Sequence, residues 1–253
     1  MAWTRLRQVA LVAEQLAPVV EHLHEVFGLE VAFRDPGVAS FGLENAVIPV
    51  GSQLLEVVAP IREGTAGGRQ LARRGEGGYM AIFHTDDHAG VRSRVEQLGV
   101  RSVVDLELRG GYACYQLHPS DTGGTFLEVD FQPGGEDPDG PWHPAGADWQ
   151  RAKRTDVVDG ILGVELECAD PQAVAGRWAA ILDVPMSDAD GLVVHADHGE
   201  VRFVAAPAGL PDGFSSVTLS AVDAERARSA ASAQGLLQDD GTVRICGTRF
   251  TLR

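Results

Sequence analysis

Four times along this chain a short apolar strand is followed by an amphipathic helix and then by two or three further strands, each set spanning about 45 to 70 residues. A repeat of that length fixes the architecture before any single residue is considered. The first set reads as a strand over 6–13, a helix over 14–27 closed by Gly28, and strands over 29–34, 38–43 and 54–58. Turn signals such as Asp35-Pro36-Gly37 and Gly51-Ser52 separate those strands. After a Gly- and Arg-rich connection, 62–78, the order recurs: strand 79–85, helix 89–98, strands 102–108, 112–117 and 125–131. Residues 132–156 are rich in Pro, Gly and Asp and hold no period, which is a linker signature that packs back through Trp142 and Trp149. The pattern resumes with strand 161–168, helix 171–182 and strands 192–196 and 201–205. A shortened fourth set follows: strand 216–221, helix 224–234, strands 242–245 and 249–252. The expected class is α+β, with four βαβββ-type modules in two pairs: a domain over 1–133, a linker over 134–156 and a second domain over 157–253.

Composition removes whole classes of function. With 36 acidic against 21 basic side chains, the net charge of -15 repels phosphate backbones and anionic lipid, so neither nucleic acid nor membrane is an expected partner. No apolar run approaches the 18 or so residues of a membrane helix, and the start of the chain lacks the apolar stretch of a secretory signal, which makes cytoplasmic the expected location. The three cysteines, Cys114, Cys168 and Cys246, are far apart and read as small buried hydrophobes. Lys153 is the single lysine, set in the linker, which removes Schiff-base chemistry and a P-loop.

In the first two sets, the opening and closing strands each carry a polar residue amid apolar neighbours: Gln8 and Glu56, then Tyr79 and Glu128. A buried acid needs a proton, a cation or a ligand to offset its desolvation, so these positions point to a site. Strand alternation separates Gln8 from Val9 and Leu11, and Glu56 from Leu55 and Val57.

The strand Gln8-Val9-Ala10-Leu11-Val12, the Phe27-Gly28-Leu29 after the helix, the closing Leu54-Leu55-Glu56-Val57-Val58, and the stretch from His118-Pro119 through Thr122-Gly123-Gly124 to Glu128 together resemble the vicinal oxygen chelate superfamily. That superfamily includes glyoxalase I, methylmalonyl-CoA epimerase, extradiol dioxygenases and resistance proteins of the bleomycin and fosfomycin types. The resemblance covers the whole chain in repeat order, with motifs confined to residues 5–131. It implies open, curled mixed sheets with a divalent metal (Mn, Ni, Zn, Co, Mg or Fe(II)) held by Gln8, Glu56, Tyr79 and Glu128. Tyr79 stands where the family usually has His. His84 lies nearby with the opposite parity to Tyr79, which predicts that it faces the helices.

Other polar residues have two readings each. Glu44 is a general base or part of a surface turn, and His118 is a cavity-rim residue or a turn cap. Arg62, with Arg69, Arg73 and Arg74, holds an anionic substrate or lies in a solvated connection. Glu128, Glu56 and Glu44 are the candidate proton-moving groups, with His118, Arg62 and His84 as candidate substrate contacts. Glu165 and Glu167 share a parity in the second half and are expected to be solvent-exposed.

Two functions from different classes stay open. One is a metal-dependent isomerase, epimerase or lyase acting through an enolate on a small oxo-acid, thiohemiacetal or acyl thioester. The other is a metal-free protein that sequesters a small molecule in the same cavity. A small-molecule ligand is the expected partner in both, and a homodimer is compatible with either.

Overall fold

The computed structural model describes residues 2–189 and 191–253. It contains two mixed seven-stranded sheets, one from each half of the chain. The first is built from β1 (Thr4–Val12), β2 (Leu43–Val50), β3 (Gln53–Pro60), β4 (Gly77–Thr85), β5 (Ser102–Glu107), β6 (Ala113–Leu117) and β7 (Phe126–Phe131), in the order β2-β3-β1-β4-β7-β6-β5. The second is built from β8 (Val158–Cys168), β9 (Met186–Ser187), β10 (Leu192–His195), β11 (Glu200–Ala205), β12 (Gly213–Ala221), β13 (Val243–Ile245) and β14 (Thr248–Leu252), in the order β13-β14-β12-β8-β11-β10-β9. The α+β class with paired modules is thus the observed one.

Among the described residues, five α-helices accompany the sheets: α1 (Leu16–Phe27), α2 (Ala66–Arg74), α3 (His88–Gln97), α4 (Pro171–Leu182) and α5 (Ala224–Ala233). Helix α1 follows the predicted apolar spacing, burying Leu16, Val19, Leu23, Val26 and Phe27, and ends where Gly28 enters the left-handed region with φ 70°. Helix α4 opens on Asp170, whose carboxylate accepts from the Ala173 N–H, with Pro171 in the first turn.

The chain divides into two compact units. One comprises the residues to Gln8, Met80–Pro141 and Gly163–Phe214; the other comprises Val9–Tyr79, Trp142–Leu162 and Ser215–Arg253. Each unit therefore draws a module from each half of the chain. In the first unit Trp178 of α4 stacks edge-on against Phe83 at 6.1 Å and Phe203 at 5.6 Å, and its Nε1–H donates to the Thr122 carbonyl at 3.1 Å. In the second, Phe27 meets Phe250 at 5.4 Å, and the linker tryptophans Trp142 and Trp149 are buried, as the sequence predicts.

Several segments depart from expectation, among them β2 (Leu43–Val50), which stands between the expected strands 38–43 and 54–58 and carries Glu44 on a strand rather than in a turn. The strand predicted over 38–43 is a 3-10 helix over Pro36–Phe41, and the one predicted over 29–34 is reduced to a single bridge between Phe33 and Val47. Asp35 caps the turn by accepting from the Gly37 N–H at 2.8 Å, and Ser40 Oγ donates to the Gly37 carbonyl at 2.7 Å. Such local bonds offer the backbone an alternative to the ladder, and here they win. Helix α2 falls within the Gly- and Arg-rich connection, where Gly67 and Gly68 depress helix propensity, yet Thr65 Oγ1 accepts from the Gly68 N–H at 2.9 Å and starts it. In the second half Glu167 is buried rather than exposed, on β8 beside Val204.

Candidate functional site

The first unit places its acids through register. Strand β7 runs parallel to β4, with Ile82 opposite Glu128 and His84 opposite Asp130, and antiparallel to β6, with Cys114 opposite Asp130 and Gln116 opposite Glu128. Paired residues project to the same side of a sheet, so these six side chains share one face. The other face, with Phe83, Tyr115 and Val129, meets the helices: Phe83 packs on Trp178 of α4, and the ring of His88 in α3 lies 6.2 Å from that of Tyr115. Alternation puts Tyr79 on that helix side with Ala81 and Phe83. The predicted direction of His84 is therefore corrected: its register with Asp130 sets it on the helix-free face.

On that face Glu128 is 4% exposed and Asp130 not at all. Ligand atoms of Cys114, Glu128 and Asp130 all lie within 4.8 Å of one another, close enough for one cation to touch all three. Tyr112 Oη donates to Asp130 Oδ2 at 2.7 Å, while Asp130 Oδ1 has no hydrogen-bond partner. Burial, then the neighbouring Glu128 charge, pushes the Asp130 carboxyl well above its ordinary range. Burial and the same two carboxylates push the Cys114 thiol and the Tyr112 phenol up as well. Every one of these groups resists a further negative charge, which is the electrostatic setting that a divalent cation relieves. The donor chemistry and the orphaned Oδ1 fit a metal ion.

Next to this trio lies a basic set. Arg5 and Arg7 of β1 are 4% and 1% exposed. Arg5 Nη2 donates to His84 Nδ1 at 3.2 Å and to the carbonyls of Gly135 and Asp137, and Arg7 Nη1 donates to the Pro138 carbonyl. The segment 132–141 thus lies across the helix-free face. Desolvation lowers the Arg5 pKa, and desolvation together with the charge of Arg5 brings Arg7 down to about 9. His84 falls to about 3, chiefly by burial and then by the charges of Arg5 and Arg7, against a favourable contact with the Gln132 main chain.

The depressed His84 pKa makes stability depend on acid. The unfolded chain takes up the imidazole proton at about pH 6.5, well before the folded protein does, so the stabilisation is whole above that pH. It is lost as pH falls toward about 3, at up to about 1.4 kcal/mol per pH unit. His84→Gln is expected to reduce the loss between pH 6.5 and 5 by about 2 kcal/mol. Urea unfolding of both proteins at those two pH values measures it; identical pH dependence would contradict the buried neutral imidazole.

The remaining predicted residues are distributed as follows. Gln8 is buried on β1 in the first unit. Glu56, buried on β3 in the second, accepts from Asn45 Nδ2 at 2.6 Å, and Glu44 is exposed on β2 with parity opposite to Asn45. Tyr79 is buried on β4. His118 caps a short turn, its Nδ1 accepting from the Ser120 N–H at 3.2 Å, and Arg62 is exposed just before α2. Sequence reasoning missed Asp130, Cys114, Tyr112, Arg5 and Arg7. Asp130 was within reach, since it stands two residues after Glu128 and shares its face.

Repeated strand-helix-strand modules with buried acids on one sheet face are the arrangement that the resemblance to the vicinal oxygen chelate superfamily implies. A sequence model described as glyoxalase-like domain matches residues 9–182, and the chain belongs to that family. No curated protein matches the chain. Solved structures similar to it include methylmalonyl-CoA epimerase in complex with methylmalonyl-CoA and NH4+, at 25% identity over 51% of this chain and 95% of that one, with a TM-score of 0.47. A variant of the Streptomyces coelicolor epimerase in complex with 2-nitronate-propionyl-CoA is also similar, at 25% identity over 51% and 98% with a TM-score of 0.46. The Mycobacterium tuberculosis epimerase follows at 21% identity over 51% and 87%, with a TM-score of 0.45. Among the described residues no helix is long and apolar enough to cross a membrane.

Proposed function

We propose that this glyoxalase-like chain is a divalent-metal-dependent isomerase, epimerase or lyase that moves a proton next to a carbonyl on a small oxo-acid, thiohemiacetal or acyl thioester. The observation that carries this reading is the buried trio Cys114, Glu128 and Asp130, which includes the acid at the family's closing-strand position. A thiol beside two carboxylates favours Zn, Co, Fe(II) or Ni over Mg and Mn. Such an ion supplies Lewis-acid stabilisation of negative charge on a substrate oxygen. The chain's own part is proton handling. Tyr112 pins Oδ2 of Asp130 and leaves Oδ1 as the oxygen that would hold the ion, and Glu128 is the group that would take or return the substrate proton.

The test is exchange of substrate α-protons in D2O, followed by NMR, with metal-loaded protein and one representative each of the three substrate classes. The wild type is expected to exchange at least one of them, and Glu128→Gln to be slower by about 100-fold or more. Absence of exchange with every class in the loaded wild type would contradict the enzyme reading.

A second reading, metal-free sequestration of a small molecule, is favoured by a specific feature of the same trio. A single proton shared between Glu128 and Asp130 also relieves their repulsion, and the raised pKa of Asp130 is what such sharing produces. Ligand binding without turnover, unaffected by a chelator, would distinguish it.

A further inference from the structure

Two guanidinium groups two residues apart on one strand face are unusual in a protein of net charge -15, and more so when both are buried. Arg5 is held on several sides. Its guanidinium lies 4.8 Å from the centre of the Trp3 ring, His84 Nδ1 accepts from Nη2, and the carbonyls of Gly135 and Asp137 close it off. Trp3 and His84 themselves meet edge to face at 4.8 Å and together form a flat cradle under Arg5. Carbonyl oxygens satisfy N–H groups without bringing countercharge, and among the described residues no carboxylate hydrogen-bonds Arg5, whose Nε is left without a partner. Nearby acids act on both groups: Asp137, Asp197 and Glu136 raise the Arg5 pKa against burial and Asp139 and Asp137 that of Arg7, and all of them except Asp197 ride on the segment.

We infer that Arg5 and Arg7 form a binding site for a compact carboxylate or phosphate group, and that residues 132–141 are a built-in acidic strap that occupies it. A bound anion would replace neutral carbonyl acceptors by charge-assisted, forked hydrogen bonds, which are about twice as strong. The strap competes because it is tethered, at an effective concentration that is in the millimolar range for a short linker. Gly135 is the contact that lets it seat. A Cβ at that position would collide with the His84 ring and with the Gln132 carbonyl, so a larger side chain must lift the segment away. The site stands whether or not Cys114, Glu128 and Asp130 hold a metal.

The experiment is calorimetric titration with inorganic phosphate and with malonate at constant ionic strength, on wild type, Gly135→Val and Gly135→Val with Arg5→Gln, alongside limited proteolysis of residues 132–141. Gly135→Val is expected to expose the strap to protease and to tighten binding of at least one anion by about tenfold or more, and Arg5→Gln to remove that gain. Tighter malonate binding identifies a carboxylate ligand and tighter phosphate binding a phosphate one. A strap that stays protected, an open strap with no gain in binding, or a gain that survives Arg5→Gln would each overturn the proposal and leave the arginines as structural staples. Wild-type protein provides an arm free of folding defects: phenylglyoxal labelling of Arg5, read by mass spectrometry, is expected to slow about fivefold or more at saturating anion. Labelling indifferent to both anions would overturn it equally.

Discussion

Alanine in place of Trp178 is expected to lower the unfolding free energy by about 3–5 kcal/mol, the largest loss from any single core truncation in the first unit. The ring is wholly buried on α4 and bridges Phe83 of β4 and Phe203 of β11, so its removal opens a cavity between two modules of that unit. It also strips the Thr122 carbonyl of its indole N–H donor. The unsatisfied buried acceptor accounts for about 1–3 kcal/mol of that loss, and the cavity for the rest. Trp178→Phe, which keeps most of the volume but not the N–H, should fall between. Urea unfolding followed by far-UV circular dichroism gives the comparison, and a loss below about 1 kcal/mol for the alanine variant would show that α4 does not anchor the unit.

Gly247→Ala is expected to cost about 2–4 kcal/mol, through two separable causes. Gly247 turns the chain between β13 and β14 at φ 62°, where a Cβ costs about 1–2 kcal/mol by itself. The added Cβ would also run into the Glu76 carbonyl, which is main chain and cannot swing aside. Gly235 separates the two causes. It has φ 71°, and a Cβ added there would meet nothing within 4 Å, so Gly235→Ala should show only the backbone share, about 1–2 kcal/mol. Equal losses at both positions would mean that the approach of Glu76 is not tight.

The repeat was legible because a switch between a two-residue and a 3.6-residue period survives in sequence: α1 ends at Gly28 as expected, and α4 falls on the expected residues 171–182. What failed was decided locally by side chains. Asp35 and Ser40 draw the backbone into a turn that hydrophobic alternation alone reads as strand, and Thr65 starts a helix that two glycines conceal. The site was legible only in part, for a different reason. Alternation within one strand is readable, and it pairs Glu128 with Asp130. Register between strands is not, and it is register that brings Cys114 and His84 to the same face. The seating of residues 132–141 over Arg5 and Arg7 depends on main-chain carbonyls, which carry no mark in the sequence.

The metal centre is tested most directly by titrating chelator-stripped protein with Co(II) and recording its absorption spectrum, with elemental analysis of the same samples after dialysis. Wild type is expected to bind about one equivalent and to show a thiolate-to-cobalt band, Cys114→Ser to lose that band, and Glu128→Ala to lose most of the metal. A wild type that binds no Co(II), Zn, Ni or Fe(II), or one that binds with a spectrum unchanged by Cys114→Ser, would contradict the buried Cys114, Glu128 and Asp130 as a metal site.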